Sequence, residues 1–410
     1  LEGGYLGVDL FFVLSGFLIT SLLLVENDRS GSISLRSFWE RRGRRLLPAM
    51  LVLVASVGVY AATIARPDEL ARLRRESVGA LFYVSNWVQL AAGEEYFERF
   101  ARPSLLRHFW SLAIEEQFYL LWPLVVIAVL SRTRQPARLL GVVCAVGAAA
   151  SFAWAMILHD PATSTLRLYY GTDTRIGAIL AGGAAACVID RWRARRADDA
   201  PDSISTWIWL VAGLGAGLLA AGWISMSGDS PVLWRGGLAV MSIAAAVVVG
   251  VIGTGAHTPL SVPLSVAPLR WLGWISYGLY LWHWPVIVVL DGSRTGLDGW
   301  ALDSLRIAVS LALAVVSAQF IERPIRFGAL GGYALLRGGA VAMVAVSVLV
   351  LWGTRPVEEV AGPTLVGAED LGVTPVADRA VAGTTTVVDP AGATTSTIVA
   401  PTEPLSLVVV

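Results

Sequence analysis

The apolar residues of this chain come in blocks of about 20, the length at which a helix crosses a bilayer core. The blocks fall at roughly 5–25, 46–65, 110–130, 139–158, 171–189, 207–225, 235–253, 273–290, 302–321 and 334–353. Only 15% of the 410 residues are charged, against about 25% in a soluble domain. That is too little charge to cover a water-facing surface of this size. The fold expected is an all-α, polytopic membrane helix bundle of about ten spanning helices.

The charges between the blocks orient them. Arg29, Arg36, Arg41, Arg42, Arg44 and Arg45 separate the first block from the second; Arg132, Arg134 and Arg138 follow the third. Arg191, Arg193, Arg195 and Arg196 follow the fifth, and Arg323 and Arg326 the ninth. The alternate loops are sparse or acidic, with Asp160, Asp229, Asp291 and Asp298. Arginine-rich loops stay in the cytoplasm, so the first block enters from outside and the tail after Leu351 ends outside. The location expected is the plasma (inner) membrane. Residues 77–92 are apolar enough to cross, but a crossing there would invert every later loop. Ser85, Asn86, Trp87 and Gln89 interrupt the stretch, and it reads as an interfacial or re-entrant segment.

Three regions are expected: a membrane domain over 1–353, a flexible extracytoplasmic linker over 354–404, and the start of a second domain at 405–410. The linker is rich in Thr, Pro, Ala, Val and Gly, a composition that does not build a core. The chain opens at Leu1 rather than Met and reads as a fragment.

Several function classes fall away. A net charge of zero gives no pull toward nucleic acid. Every basic residue is Arg and none is Lys, which excludes a lysine nucleophile, a Schiff base or a Walker-type phosphate loop. Cys144 and Cys187 lie inside apolar blocks and read as small hydrophobes. No four-ligand metal pattern is present, so neither a metal nor a bound cofactor is expected.

Ionisable groups inside spanning blocks are costly and are functional candidates for that reason. Asp9 sits about one turn inside the first block, either orienting a catalytic histidine or capping the helix. Arg42 and Arg45, three apart, share a helix face, where two guanidinium groups can grip phosphates or anchor to anionic lipid. His108, Ser111 and Glu115 share the face of a third helix, but side chains leaning the same way along one axis rarely reach triad geometry. Glu115 or Glu116 is expected in a structural or acceptor-site role. Asp173 and Arg175 can pair with each other or with Glu115. His283 lies near the bilayer middle between Trp282 and Trp284, either as a core histidine or as a functional one.

Taken together, GGYLGVDLFFVLSGFLIT, RRGRRLLPA, HFWSLAIEEQFYLLWP, TDTRIGAILAG, ISYGLYLWHWP and FIERPIR resemble the membrane-bound acyltransferase-3 family, in the family's order from about Gly3 to Arg326. The resemblance implies transfer of an acyl group, acetyl above all, from cytoplasmic acyl-CoA to a hydroxyl of a cell-surface glycan outside. It implies acyl-CoA held by Arg42, Arg45 and Glu322. His108, Trp110, Ser111, Asp173 and Arg175 then line the substrate path, and His283, Glu115, Glu116 and Asp9 are the catalytic candidates. The family's catalytic histidine belongs to a helix before GGYLGVD, and so is expected upstream of Leu1, which leaves the fragment expected to be inactive alone. The tail is similar to the linker of the subgroup that carries a C-terminal SGNH-type domain. The competing readings are a transporter or flippase of a glycan or lipid-linked precursor, and a non-catalytic scaffold for the outer domain.

Single cysteines at Ser85 and Ala194 test the orientation. A membrane-impermeant maleimide applied to intact cells is expected to label the first and not the second.

Overall fold

The computed structural model describes residues 3–93, 103–133, 135–161, 163–195, 206–228, 230–255, 261–327, 332–355, 384–388 and 394–398. Two compact units divide the chain, Leu1–Pro356 and Val357–Val410. Arg134, Arg196, Asp229 and His257, with most of the expected linker and all of 405–410, lie outside the described residues.

Among the first unit's described residues every regular element is a helix. A short 3-10 turn leads into α1 (Gly7–Ser30), which α2 (Leu35–Thr63) follows. Then come α3 (Pro67–Leu81), α4 (Ser85–Ala92), α5 (Phe109–Leu130) and α6 (Pro136–Leu158). Short α7 (Leu166–Tyr170) precedes α8 (Thr172–Ala194) and α9 (Thr206–Ser225). A π-turn at Leu233–Gly237 opens α10 (Leu238–Gly253). The one-turn α11 (Ser261–Leu264) leads to α12 (Ala267–Val289), and α13 (Gly292–Thr295) to α14 (Gly299–Val316). A second π-turn, Ser317–Glu322, runs into α15 (Arg323–Phe327), and α16 (Gly332–Gly353) ends the unit.

Every expected block is a helix, but among the described residues eight rather than ten are long and apolar enough to span. The block at 273–290 lies in α12, whose Tyr, Trp and His side chains lower its hydropathy. The block at 334–353 lies in α16, where the apolar stretch Arg337–Gly353 is a shorter helix. The chain is a multi-pass membrane protein with an all-α bundle.

Residues 77–92 do not form one helix. The chain breaks between α3 and α4 at Tyr83, whose φ of 54° is left-handed and uncommon for an aromatic residue. At about 1.5 Å per residue neither helix reaches across a core of about 30 Å. Two of the polar residues that interrupt the apolar pattern, Asn86 and Gln89, hold the break in place. Asn86 is buried and donates to the Tyr170 carbonyl and Thr172 hydroxyl, both at 3.0 Å. Gln117 on α5 donates to the Tyr83 carbonyl at 3.0 Å and accepts from Thr172 at 2.7 Å. Gln89 donates to the Arg107 carbonyl at 2.9 Å. Buried amides stay in an apolar setting only when bonded in this way.

In the second unit, β1 (Thr384–Val388) pairs antiparallel with β2 (Thr394–Ile398), in register Thr384 to Ile398 and Val388 to Thr394. This hairpin falls inside the stretch expected as a flexible linker.

Helix α1 packs against α8 at glycine contacts. A Cβ at Gly16 would meet the Ile179 carbonyl oxygen at 1.8 Å, and one at Gly182 the Val13 oxygen at 1.9 Å. Small residues let backbones approach this closely in membranes, where packing rather than water expulsion drives helix association. Gly353 of α16 meets the Gly58 carbonyl of α2 in the same way, at 2.4 Å from its hypothetical Cβ. Outside the spans, the Ser293 hydroxyl and the Arg294 N–H bond Asp291 at the start of α13 and hold its carboxyl below the usual range. Gly16→Val and Gly182→Val are each expected to destabilise by at least about 1–3 kcal/mol. The check is the midpoint of thermal unfolding in detergent, with Gly213→Val, which meets nothing within 4 Å, as the neutral control.

Candidate active site

Helix α5 builds the site. His108 just before it, then Ser111, Glu115 and Tyr119, fall at steps of three, four and four residues, so they form one stripe about 16 Å long. All four are buried. Helix α1 faces the stripe: the Ser15 hydroxyl bonds the Tyr119 hydroxyl, which donates to Glu115 Oε1 at 3.3 Å. One turn further on, Trp122 Nε1 donates to Thr20 Oγ1 at 3.0 Å.

Helix α12 faces the other end. The Tyr280 hydroxyl lies 2.5 Å from Ser111 Oγ and donates to the His108 carbonyl at 3.0 Å. His283 Nδ1 lies 2.6 Å from the Tyr280 carbonyl. The two imidazole rings stand edge-on with centroids 5.7 Å apart. Neither ring nitrogen of His108 has a hydrogen-bond partner of good geometry among the described residues. His283 therefore sits level with the start of α5. Trp284 Nε1 bonds the Ser104 carbonyl at 2.7 Å and fixes that level. Ser111 bonds Tyr280 and the His108 backbone, so no His–Ser–Glu triad forms along α5.

At the opposite end stand the arginines. Arg41 pairs with Glu26 and Arg44 with Glu40, at 2.8 and 2.7 Å. Arg42 and Arg45 make no ion pair among the described residues. Arg42 lies over the Tyr119 ring at 5.0 Å and the Phe38 ring at 5.8 Å, within cation–π range. Two cavities meet at these residues. One, about 830 Å³, is lined by Arg29, Arg41, Arg42, Arg44, Arg45 and Arg326 with Glu26, serines and apolar side chains. The other, about 820 Å³, runs from Arg42 and Arg45 past Ser15, Tyr119 and Glu115 to Tyr280, His108 and His283, with Trp110 also on its wall. Glu322 accepts from the Ser317 hydroxyl at 3.0 Å in the π-turn after α14, where a Cβ at Gly278 of α12 would meet its Oε1 at 2.9 Å. Glu116 follows Glu115 on α5, where Arg42 is its charged neighbour.

Neither pairing expected for Asp173 and Arg175 occurs. Arg175 is buried and its Nη2 lies 3.0 Å from both Asp9 oxygens; Asp173 instead pairs with Arg167 at 2.5 Å and accepts from Trp154 at 2.9 Å. The reason is helix geometry: residues two apart on α8 point to different sides, Arg175 toward α1 and Asp173 toward α7. Arg175 Nε and Nη1 have no acceptor among the described residues. Aromatic faces surround the guanidinium in their place: Tyr169 at 5.2 Å, Trp110 at 5.4 Å and Phe12 at 6.0 Å. Asp9 thus has its partner on another helix rather than at its own helix start.

Sequence reasoning passed over Ser15, Tyr119 and Tyr280. Two of them carried a readable signal, since Tyr119 is four residues after Glu115 and Tyr280 three before His283. Among the described residues no group of three or more His, Cys, Asp or Glu side chains is placed to hold a metal.

A family model described as an acyltransferase domain, that of acyltransferase-3, matches residues 2–323. The chain belongs to this family. It is 39% identical over 330 residues to the peptidoglycan O-acetyltransferase OatA of Listeria monocytogenes, covering 79% of this chain and 52% of that protein. It is 37% identical to the putative peptidoglycan O-acetyltransferase YrhL of Bacillus subtilis, covering 79% and 51%. The O-acetyltransferase OatA of Staphylococcus aureus is 34% identical over 354 residues, covering 86% and 58%. The chain thus spans about half the length of the curated relatives it matches. No solved structure matches.

Removing one partner of a buried ion pair costs about 3–5 kcal/mol because the other charge is stranded. Arg175→Met is expected to lower thermal stability in detergent by that order. Asp9→Leu together with Arg175→Met is expected to recover a large part, since no charge then stays buried. A double variant as unstable as the sum of the singles would show that the pair acts through packing alone.

Proposed function

We propose that this chain is the membrane acyltransferase of a cell-wall O-acetylation system. It moves an acetyl group from acyl-CoA on the cytoplasmic side to a hydroxyl of peptidoglycan outside. The observation that carries the reading is a cavity with Arg42 and Arg45 at one end and His108 and His283 at the other. Acetyl-CoA supplies both what the arginine end suits and what the narrow apolar wall suits. Its nucleotide phosphates are the bidentate anions that guanidinium groups recognise, and the basic cavity beside Arg42 gives them room. Its long uncharged arm can follow the apolar wall and bring the thioester among Ser15, Tyr119 and Glu115. The names of the relatives supply the acceptor, peptidoglycan, and the acyl group, acetyl.

An imidazole at the far end would accept the proton of the acceptor hydroxyl or carry the acyl group itself. His108 and His283 are the candidates among the described residues. Both imidazoles line the cavity, where either would suit these tasks. The negative charge that develops on the carbonyl oxygen would meet hydroxyl donors such as Tyr280. Glu322, beside Arg45 and Arg326 in charge, would keep the arginine end in place. A C-terminal SGNH-type domain would be the partner that receives or places the group.

Arg42→Ala with Arg45→Ala is expected to weaken acetyl-CoA binding, measured directly by calorimetry, through loss of two charge-assisted contacts of about 1.5–3 kcal/mol each. Lysine at both positions is expected to restore only part, because the fork is lost. Unchanged affinity in the double alanine variant would make the pair lipid anchors and remove the donor site.

A further inference from the structure

Three side chains of α12 bond backbone carbonyls of the segments that wall the cavity. Tyr277 donates to the Leu46 carbonyl of α2 at 2.8 Å, Tyr280 to the His108 carbonyl at 3.0 Å, and Trp284 to the Ser104 carbonyl at 2.7 Å. Steps of three and four residues put all three on one stripe of the helix. Two of these bonds hold the approach to α5, where His108 stands. The bond from Tyr277 holds α2 next to Arg45. Helix α12 itself rests on α14, where Ile275 is buried with Ala314 and Ala318.

That place on α2 is where the helix needs holding. Pro48 lies inside α2 and has no N–H to give to the Arg44 carbonyl, so the hydrogen-bond ladder is interrupted there. On one side of the interruption are the turns with Arg42 and Arg45; on the other, Ala49 and Met50 begin the buried part of the span. Of residues 35–45 only Phe38 is buried. A stretch with so few buried contacts, joined to the rest of its helix through a proline, is poorly fixed by packing alone. The Tyr277 ring lines the cavity, but its hydroxyl is committed to the backbone, so it acts on a bound donor through α2.

Resting on the acetyl-transfer reading, we propose that Tyr277 is a positioning residue for the acyl-CoA donor. It holds the face of α2 that carries Arg42 and Arg45 against the same helix that holds the start of α5. One turn of α12, a rise of about 4.5 Å from Tyr277 to Tyr280, then sets the arginines relative to the imidazoles. Without the Tyr277 hydroxyl the arginines are no longer pre-set, and ordering them opposes donor binding. The imidazoles keep their place through Tyr280 and Trp284, so the transfer step of the bound donor keeps its rate. The signature is a loss of donor affinity without a matching loss of turnover.

The test uses the purified full-length protein in detergent. Acetyl-CoA affinity is measured by calorimetry, and kcat and KM with soluble peptidoglycan fragments as acceptor. Tyr277→Phe is expected to bind acetyl-CoA about three- to tenfold more weakly, the worth of one hydrogen bond. Its KM for acetyl-CoA is expected to rise by the same factor, with kcat within about twofold of the wild type. Tyr60→Phe is the control, the same change on the same helix: the Tyr60 hydroxyl accepts from Arg294 at 3.2 Å, far along α2 from the arginines, and donor affinity is expected to stay as in the wild type. If the phenylalanine variant does not fold, para-fluorophenylalanine at position 277 takes its place, filling the hydroxyl's space without donating. Wild-type affinity in the 277 variant overturns the proposal, as does a fall in kcat at unchanged affinity, or an equal loss of affinity in Tyr60→Phe. No binding of acetyl-CoA by the wild type overturns the acetyl-transfer reading itself, and the role of Tyr277 with it.

Discussion

A guanidinium buried among helices has to find a carboxylate, and in this bundle the one that Arg175 finds is on the first helix. The Asp9–Arg175 pair ties α1 to α8 near the end of the bundle where both helices begin. The cost of taking two charges out of water makes the bond weak as a source of stability but demanding in its geometry. It fixes which face of α1 turns to α8. The glycine contacts at Gly16 and Gly182 complete that choice, since no side chain could be added there without moving a backbone. With that face committed, the opposite flank of α1 presents Val8, Phe11, Leu14, Ser15 and Leu18 to the cavity.

Everything chemical in the bundle follows from where α1 stands. Ser15 reaches Tyr119 because α1 lies against α5 on its uncommitted side. The cavity exists because α2 and α12 reach the far side of that groove without filling it. Arg42 enters over Tyr119, and Tyr280 and His283 enter over Ser111 and His108. The break at Tyr83 serves the same end. By folding back after α3, the chain brings Asn86 and Gln89 to the loops before α5 and α8, and so holds the start of α5, with His108, at the end of the cavity. A straight crossing at 77–92 would have left those polar groups in lipid, where each unbonded one costs several kcal/mol.

The arrangement also explains why an acyltransferase would need so many ionisable groups at depth. On the proposed reading the donor would be an anion on a long uncharged arm and the acceptor a neutral hydroxyl, which calls for cations at one end of the cavity and bases at the other. Transporters place charges in similar positions to carry a substrate. In this bundle the arginines and the imidazoles line different parts of one cavity and are of different kinds, which suits two substrates meeting through a shared group better than one substrate passing through.

The sequence by itself determined the class of the fold, because runs of about 20 apolar residues with few charges can hide their backbone polar groups only as membrane helices. It also determined anything written within two turns of one helix. The Arg42–Arg45 face, the His108–Ser111–Glu115 stripe and the polar interruption at 85–89 follow from a period of 3.6 residues, and such spacings survive folding. What only the tertiary structure decided is pairing between helices. Arg175 had Asp173 and Glu115 as sequence-level partners and took Asp9, while His283 had no partner legible in the sequence and lies beside His108. Helix rotation and depth set these outcomes, and both depend on glycine contacts and a buried ion pair whose members lie on different helices. Periodicity says which face a residue shares, but a face acquires its partner only when another helix is packed against it.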